Sequence, residues 1–179
     1  MEFYSRKNLD FLLYNVFQVE QLSDYDYFSD HNQETYKMVL DACTDLATNK
    51  LRPVLMEMDR QAPEYVDERI KVHPAMQEIV KEFGEGGWIG APLSYDEGGQ
   101  QMPYMMFNAT MFILGAANYS ASVYPFLTAG AANLIRSFGS DKLKKTYLDK
   151  LYGGQWQGTM ALTEPEAGSS LGDLITSAT

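Results

Sequence analysis

Apolar residues recur at intervals of three and four along most of this chain, and only near its end does the interval shorten to two. Leu9, Leu12, Leu13, Val16 and Phe17 predict a short amphipathic helix at the start. The polar, tyrosine-rich stretch QLSDYDYFSDHN reads as a connector. A long helical face follows, carried by Tyr36, Val39, Leu40, Cys43, Leu46, Ala47, Leu51, Val54, Leu55 and Met58. Asp30 or Asn32 is placed to cap it. Pro53 falls inside the pattern and removes a backbone donor, so a kink or a break is expected there. APEYVDERIKVHP reads as a loop, and Met76, Ile79, Val80 and Phe83 as the next helix, with Gly84 stopping it. From Gly98 to Ile135 no residue is charged, and the pattern predicts two buried helices joined by a turn, beginning around Met105. A helix over Ser140 to Leu151 is ended by Gly153 and Gly154. Then Thr159 to Thr163 alternates as a short strand does, Pro165 forces a turn, and LGDLITSAT looks like the start of a second strand.

Composition narrows what such a chain does. With 179 residues, 45% of them hydrophobic, it can bury a real core. A net charge of −10 without clustered Lys and Arg argues against a nucleic-acid surface. The uncharged stretch is broken by Pro103, Asn108, Asn118, Ser120, Ser122, Pro125 and Asn133, so it reads as core and not as a membrane span. No signal-peptide pattern is visible in the first residues. The single cysteine, Cys43, lies on an apolar face as a small core residue and fits a reducing compartment, so a cytoplasmic location is expected. His31 and His73 have no metal-ligand spacing, and no metal site is expected. Gly84 and Gly86 begin a glycine fingerprint whose third position is Ile89, and a helix precedes it, so dinucleotide binding of that kind is rejected.

The stretch with the most chemistry is MALTEPEAGSSLGDL, Met160 to Leu174. Thr163 places a hydroxyl at a strand end, Pro165 fixes the backbone, Gly168 permits close approach, and Ser169 and Ser170 add hydroxyls and amides. Such a loop can hold a phosphate or the polar rim of a flavin, and it can equally be an ordinary turn.

ALTEPEAGSSLGDL resembles the motif LTEP-x-AGSD of the acyl-CoA dehydrogenases, a flavoenzyme family. IRSFGSDKLKKTYLDKLYGGQWQGTMALTEP is similar to the family's helix and glycine turn leading into that motif, and GGWIGAPLSYDEGGQ to the stretch joining its early helices. YSRKNLDFLLYNVF resembles the extra N-terminal segment of the larger, methylthiopropionyl-CoA dehydrogenase-like subgroup. The match covers nearly the whole chain, and its weight lies in the shared order of segments. Two positions depart from the pattern: Ser170 stands where the family has Asp, and Glu166 replaces a smaller residue.

The resemblance implies a mainly α fold: the family's N-terminal helical domain, an up-down bundle, with the first strands of a truncated β-domain. It divides the chain into an N-terminal extension at 1–30, a helical domain at 31–157 and the start of the middle β-domain at 158–179. It implies FAD as cofactor, with Met160, Leu162 and Thr163 approaching the isoalloxazine ring and Thr163 bonding its polar edge. Gly168 and Ser169 would lie by the pyrophosphate, and Ser169 would also touch the acyl-CoA tail. The implied reaction oxidises an acyl-CoA to the 2,3-enoyl-CoA: a glutamate takes the α proton while the β hydride moves to the flavin. That glutamate belongs to the family's C-terminal helices, so no catalytic residue is assigned here, and Glu164 and Glu166 are read as solvated acids. Electrons would leave to an electron-transfer flavoprotein, and the full-length protein would be a homo-oligomer. Two other readings stand beside this one: a standalone helical interaction module without the chemistry, and a DNA-damage-associated flavoprotein of the same family.

Overall fold

The structure is a computed structural model that describes residues 2–177. Helix α1 (Arg6–Asp10) runs on through a wider turn, Phe11–Val16. Of the apolar positions expected to face a core there, Leu13 is buried and Leu9 half-buried, while Leu12, Val16 and Phe17 are exposed. The spacing therefore marks the helix correctly but not the side it buries. The tyrosine-rich connector forms two short 3-10 turns, Val19–Asp24 and Asp26–Phe28. His31, at its end, is buried against Tyr36, and its Nε2 lies 3.1 Å from the Gln101 carbonyl oxygen.

Helix α2 (Gln33–Leu46) opens with a reciprocal cap on Asn32, not Asp30. The Thr35 amide donates to Asn32 Oδ1, and the Asn32 amide donates to Thr35 Oγ1, both at 2.9 Å. Tyr36, Leu40, Cys43, Ala47 and Leu51 are fully buried along its face, as their spacing requires. Pro53 acts as expected: the helix loosens through a wide turn at Ala47–Leu51 and a 3-10 turn at Arg52–Val54 before α3 (Leu55–Arg60) resumes.

The segment expected to be a loop holds a small hairpin. Strands β1 (Glu64–Val66) and β2 (Arg69–Lys71) pair antiparallel, with Tyr65 opposite Ile70. Asp67 and Glu68 carry φ of 52° and 60°, the left-handed backbone that a two-residue hairpin turn demands. Neither is the glycine that usually signals such a turn, so the sequence conceals it.

Helix α4 (Ala75–Glu85) buries Met76, Ile79, Val80 and Phe83. Gly84 does not stop it; the cap is Gly86. Gly84 is needed for another reason, because a Cβ there would lie 2.1 Å from the Gly153 carbonyl oxygen. The ends of α4 and α6 (Asp141–Tyr152) thus meet backbone to backbone. Ser140 caps α6, accepting from the Leu143 amide at 3.4 Å.

The uncharged stretch forms α5 (Tyr104–Phe138), two helical halves joined at a sharp kink, in keeping with the expected pair of helices. Its backbone leaves helical geometry only at Asn118, which is completely buried. The Asn118 side chain replaces what the kink removes. Its Oδ1 accepts from the Ala121 amide at 3.1 Å and so caps the second half of the helix. Its Nδ2 donates to the Leu51 carbonyl at 3.2 Å, in the turn loosened ahead of Pro53. Two interrupted helices therefore satisfy each other where they cross. Among the described residues no helix is long and apolar enough to cross a membrane.

The mainly α expectation holds, and the strand expectations do not. Thr159–Thr163 has no regular secondary structure and no strand partner, and residues 171–173 form a 3-10 turn. A strand without a neighbour leaves its ladder unmade, and nothing among the described residues supplies one. The last two positions of the expected second strand lie outside the described residues.

Candidate functional site

The candidate site is the segment that leaves α6. The Gly153–Gly154 turn closes the helix, with Gly154 at φ 69° packed against the Val80 carbonyl and Gly84. The Gln155 and Trp156 amides both donate to the Lys150 carbonyl, and Lys150 Nζ stands 4.0 Å from the Trp156 ring centroid. Gly158 then lies against α5. Its amide donates to Thr128 Oγ1 at 3.1 Å, and a Cβ at Gly158 would come within 2.3 Å of the Ala131 Cβ.

Beyond Gly158 the chain organises itself. Glu164 and Ala167 exchange backbone hydrogen bonds of 2.9 and 3.2 Å around Pro165 and Glu166, closing a tight turn. Ala167 is buried, whereas Met160 is 64% and Leu162 42% exposed. The Glu164 carboxylate accepts from the Thr176 hydroxyl and from the Ile175 and Thr176 amides at 3.0 and 2.8 Å. These bonds, the Thr176 hydroxyl foremost, hold its carboxyl below the usual carboxylate range. Glu164 is thus a clasp across the loop, a role its reading as a solvated acid missed; Glu166 is exposed.

Among the described residues, the amides of Gly168, Ser169 and Ser170 have no hydrogen-bond partner. Around Gly168 an added Cβ would meet nothing within 4 Å. Three successive free donors beside open space suit an anionic or carbonyl-rich ligand edge. Exposed Met160 and Leu162 add apolar area on the same segment. This donor set fits a flavin nucleotide: apolar side chains for a ring face, amides for its oxygens and phosphates. Met160, Leu162, Thr163, Gly168 and Ser169 lie within ten consecutive residues, and all five are exposed. Sequence reasoning missed Thr128, whose contact with Gly158 spans 30 positions and leaves no local signal.

A second concavity lies elsewhere. An apolar groove of about 270 Å³ is lined by Met38 and Val39 of α2, Trp88 and Met102 of the connecting loop, and Thr110 of α5. Cys43 is buried close by, its thiol bonded to the Thr110 carbonyl at 3.5 Å and pushed up in pKa by burial, which makes it inert.

Comparison with known proteins gives these features a setting. Residues 33–155 match the acyl-CoA dehydrogenase N-terminal domain family. The chain is similar to 3-methylmercaptopropionyl-CoA dehydrogenase of Ruegeria pomeroyi, 30% identical over 154 residues, which is 86% of this chain and 26% of that protein. Its fold is similar to glutaryl-CoA dehydrogenase from Mycobacterium smegmatis, with a TM-score of 0.67 at 21% identity, over 78% of this chain and 34% of that one. It is also similar to an acyl-CoA dehydrogenase from Bacillus anthracis complexed with FAD, with a TM-score of 0.63 at 23% identity, over 79% of this chain and 23% of that one. The chain thus spans about a quarter of the length of the Ruegeria relative.

Proposed function

Because the chain belongs to the acyl-CoA dehydrogenase family through its N-terminal domain, we propose that its full-length protein is an FAD-dependent dehydrogenase that oxidises an acyl-CoA to the 2,3-enoyl-CoA. The supporting observation is the run of free amides at Gly168, Ser169 and Ser170 next to the exposed Met160–Thr163 stretch. In this reading Met160, Leu162 and Thr163 hold and orient the isoalloxazine ring, and the Thr163 hydroxyl bonds its polar edge. Gly168 and Ser169 receive the pyrophosphate, with Ser169 also touching the acyl-CoA. When bound, FAD supplies the hydride acceptance that no side chain can. The base that removes the α proton lies outside this chain, which is inactive on its own. Residues 1–30 form an extension, 31–157 the helical domain and 158–179 the start of a β-domain whose remaining strands would pair that segment.

The proposed electron acceptor is an electron-transfer flavoprotein. The full-length protein is proposed to be a cytoplasmic homo-oligomer.

The test is purification of the full-length protein and titration with acyl-CoA. Bound FAD whose absorbance bleaches on substrate addition, with enoyl-CoA released once an electron acceptor is present, is the expected result. A protein that takes up no FAD, or whose FAD no acyl-CoA reduces, overturns the reading. Residues 1–179 alone should show no turnover.

A further inference from the structure

We propose that Thr128 and Gly158 form the pivot that sets the position of the flavin-contacting segment on the helical domain, which makes Thr128 a positioning residue. The inference rests on the flavin reading above and concerns a contact that the motif itself does not contain.

Gly158 is the last residue whose described hydrogen bonds tie the chain to the helices. Downstream of it, every described hydrogen bond is internal to the segment: Glu164 with Ala167, Glu164 with Ile175 and Thr176, and the short turns at 169–174. Within this chain, where 159–169 sits on the helical domain therefore depends on how the backbone is held at 158.

Thr128 holds it from a buried place. The residue is 1% exposed, and its hydroxyl hydrogen goes to the Tyr124 carbonyl at 2.8 Å. That donation fixes the rotor and aims an oxygen lone pair at the Gly158 amide, which donates at 3.1 Å. Shape completes the contact. Gly158 approaches so closely that a Cβ would lie 2.3 Å from the Ala131 Cβ and 3.4 Å from the Thr128 Cα. Thr128 and Ala131 sit on the half of α5 whose direction is set at Asn118, so the pivot is carried by a rigid element.

The experiment uses the full-length protein and two pairs of variants. FAD dissociation constants are read by fluorescence, and amide exchange at residues 158–169 is read without FAD. Thr128→Val removes the acceptor and should loosen FAD about ten-fold, the worth of one buried hydrogen bond, while exposing the Gly158 amide to exchange. Thr128→Ser keeps the oxygen and should stay close to wild type in both. Gly158→Ala should weaken FAD at least as much, and Ala131→Gly added to it should recover most of the loss by vacating the space. Equal FAD affinity and exchange in Thr128→Val and wild type overturn the pivot. So does the absence of rescue by Ala131→Gly. Should Thr128→Val not fold, the Gly158 and Ala131 pair decides alone. Failure of the wild-type protein to bind FAD would sink the functional reading instead, so the two failures are distinct.

Discussion

The helical body and the segment beyond Gly158 are held together by different means. In the body, Tyr36, Leu40, Met106, Ile113 and Phe83 are all but completely buried, and each helix is fixed by its neighbours. In the segment, Ala167 alone is buried among the described residues, Ile175 is 86% exposed, and short local turns and a carboxylate clasp supply the described hydrogen bonds. The body specifies itself through packing. The segment has local shape and one tie to the body, and it keeps its donors free. A region built to receive a ligand or further strands has that character, because groups satisfied in advance would have nothing to offer.

The contrast can be broken most directly in the body. Leu40→Ala empties a fully buried site and should lower unfolding stability by about 2–5 kcal/mol in denaturant titration. Asn118→Ala should cost about 2–3 kcal/mol, since it strips the cap from the second half of α5 and leaves the Leu51 carbonyl buried without its donor. A loss below half of that would show that the kink is held by packing alone. Glu97 and Arg136 make a smaller contribution. They pair at 2.5 and 3.0 Å, and the guanidinium holds the Glu97 carboxyl down at about 2. Its folded value lies below the ordinary 4.5, so the pair stabilises fully above that pH and loses its effect as pH falls toward 2. Both side chains are more than a third exposed, so Glu97→Gln should cost below about 1 kcal/mol at neutral pH and progressively less as pH falls through about 2. Smallest is Leu162→Ala, which should change unfolding stability in denaturant titration by less than about 0.5 kcal/mol, because this side chain is 42% exposed. The same change should weaken FAD binding by the full-length protein. A large stability loss there would place Leu162 in the core and remove the contrast.

Much of the body was legible because helix faces are written locally. The three- and four-residue spacing from Tyr36 to Leu51 picks out the residues that become the core, Pro53 marks the distortion, and Ser140 with Gly153 brackets α6. The same reasoning failed where an outcome depended on distant neighbours. Leu12 and Val16 have helical spacing and face outward, because no element covers that side among the described residues. The alternation at Thr159–Thr163 is genuine strand patterning, but a strand exists only with a partner. Asp67 and Glu68 adopt left-handed backbone through the pairing of β1 with β2, which overrides their weak preference for it. The motif residues group through resemblance alone, whereas the contact of Thr128 with Gly158 left no local signal.

The sequence by itself determined most of the helices, the distortion at Pro53, the glycine end of α6, the mainly α class and the family to which the Met160–Leu174 stretch points. Those follow from local rules of hydrogen bonding and periodicity that each segment obeys alone. Tertiary structure decided that Gly84 serves a close crossing with Gly153 and not a helix stop. It decided that Asn118 joins two interrupted helices, and that Thr128 meets Gly158. Each of these is a contact between positions far apart in the chain, and its geometry exists only once both sides are folded.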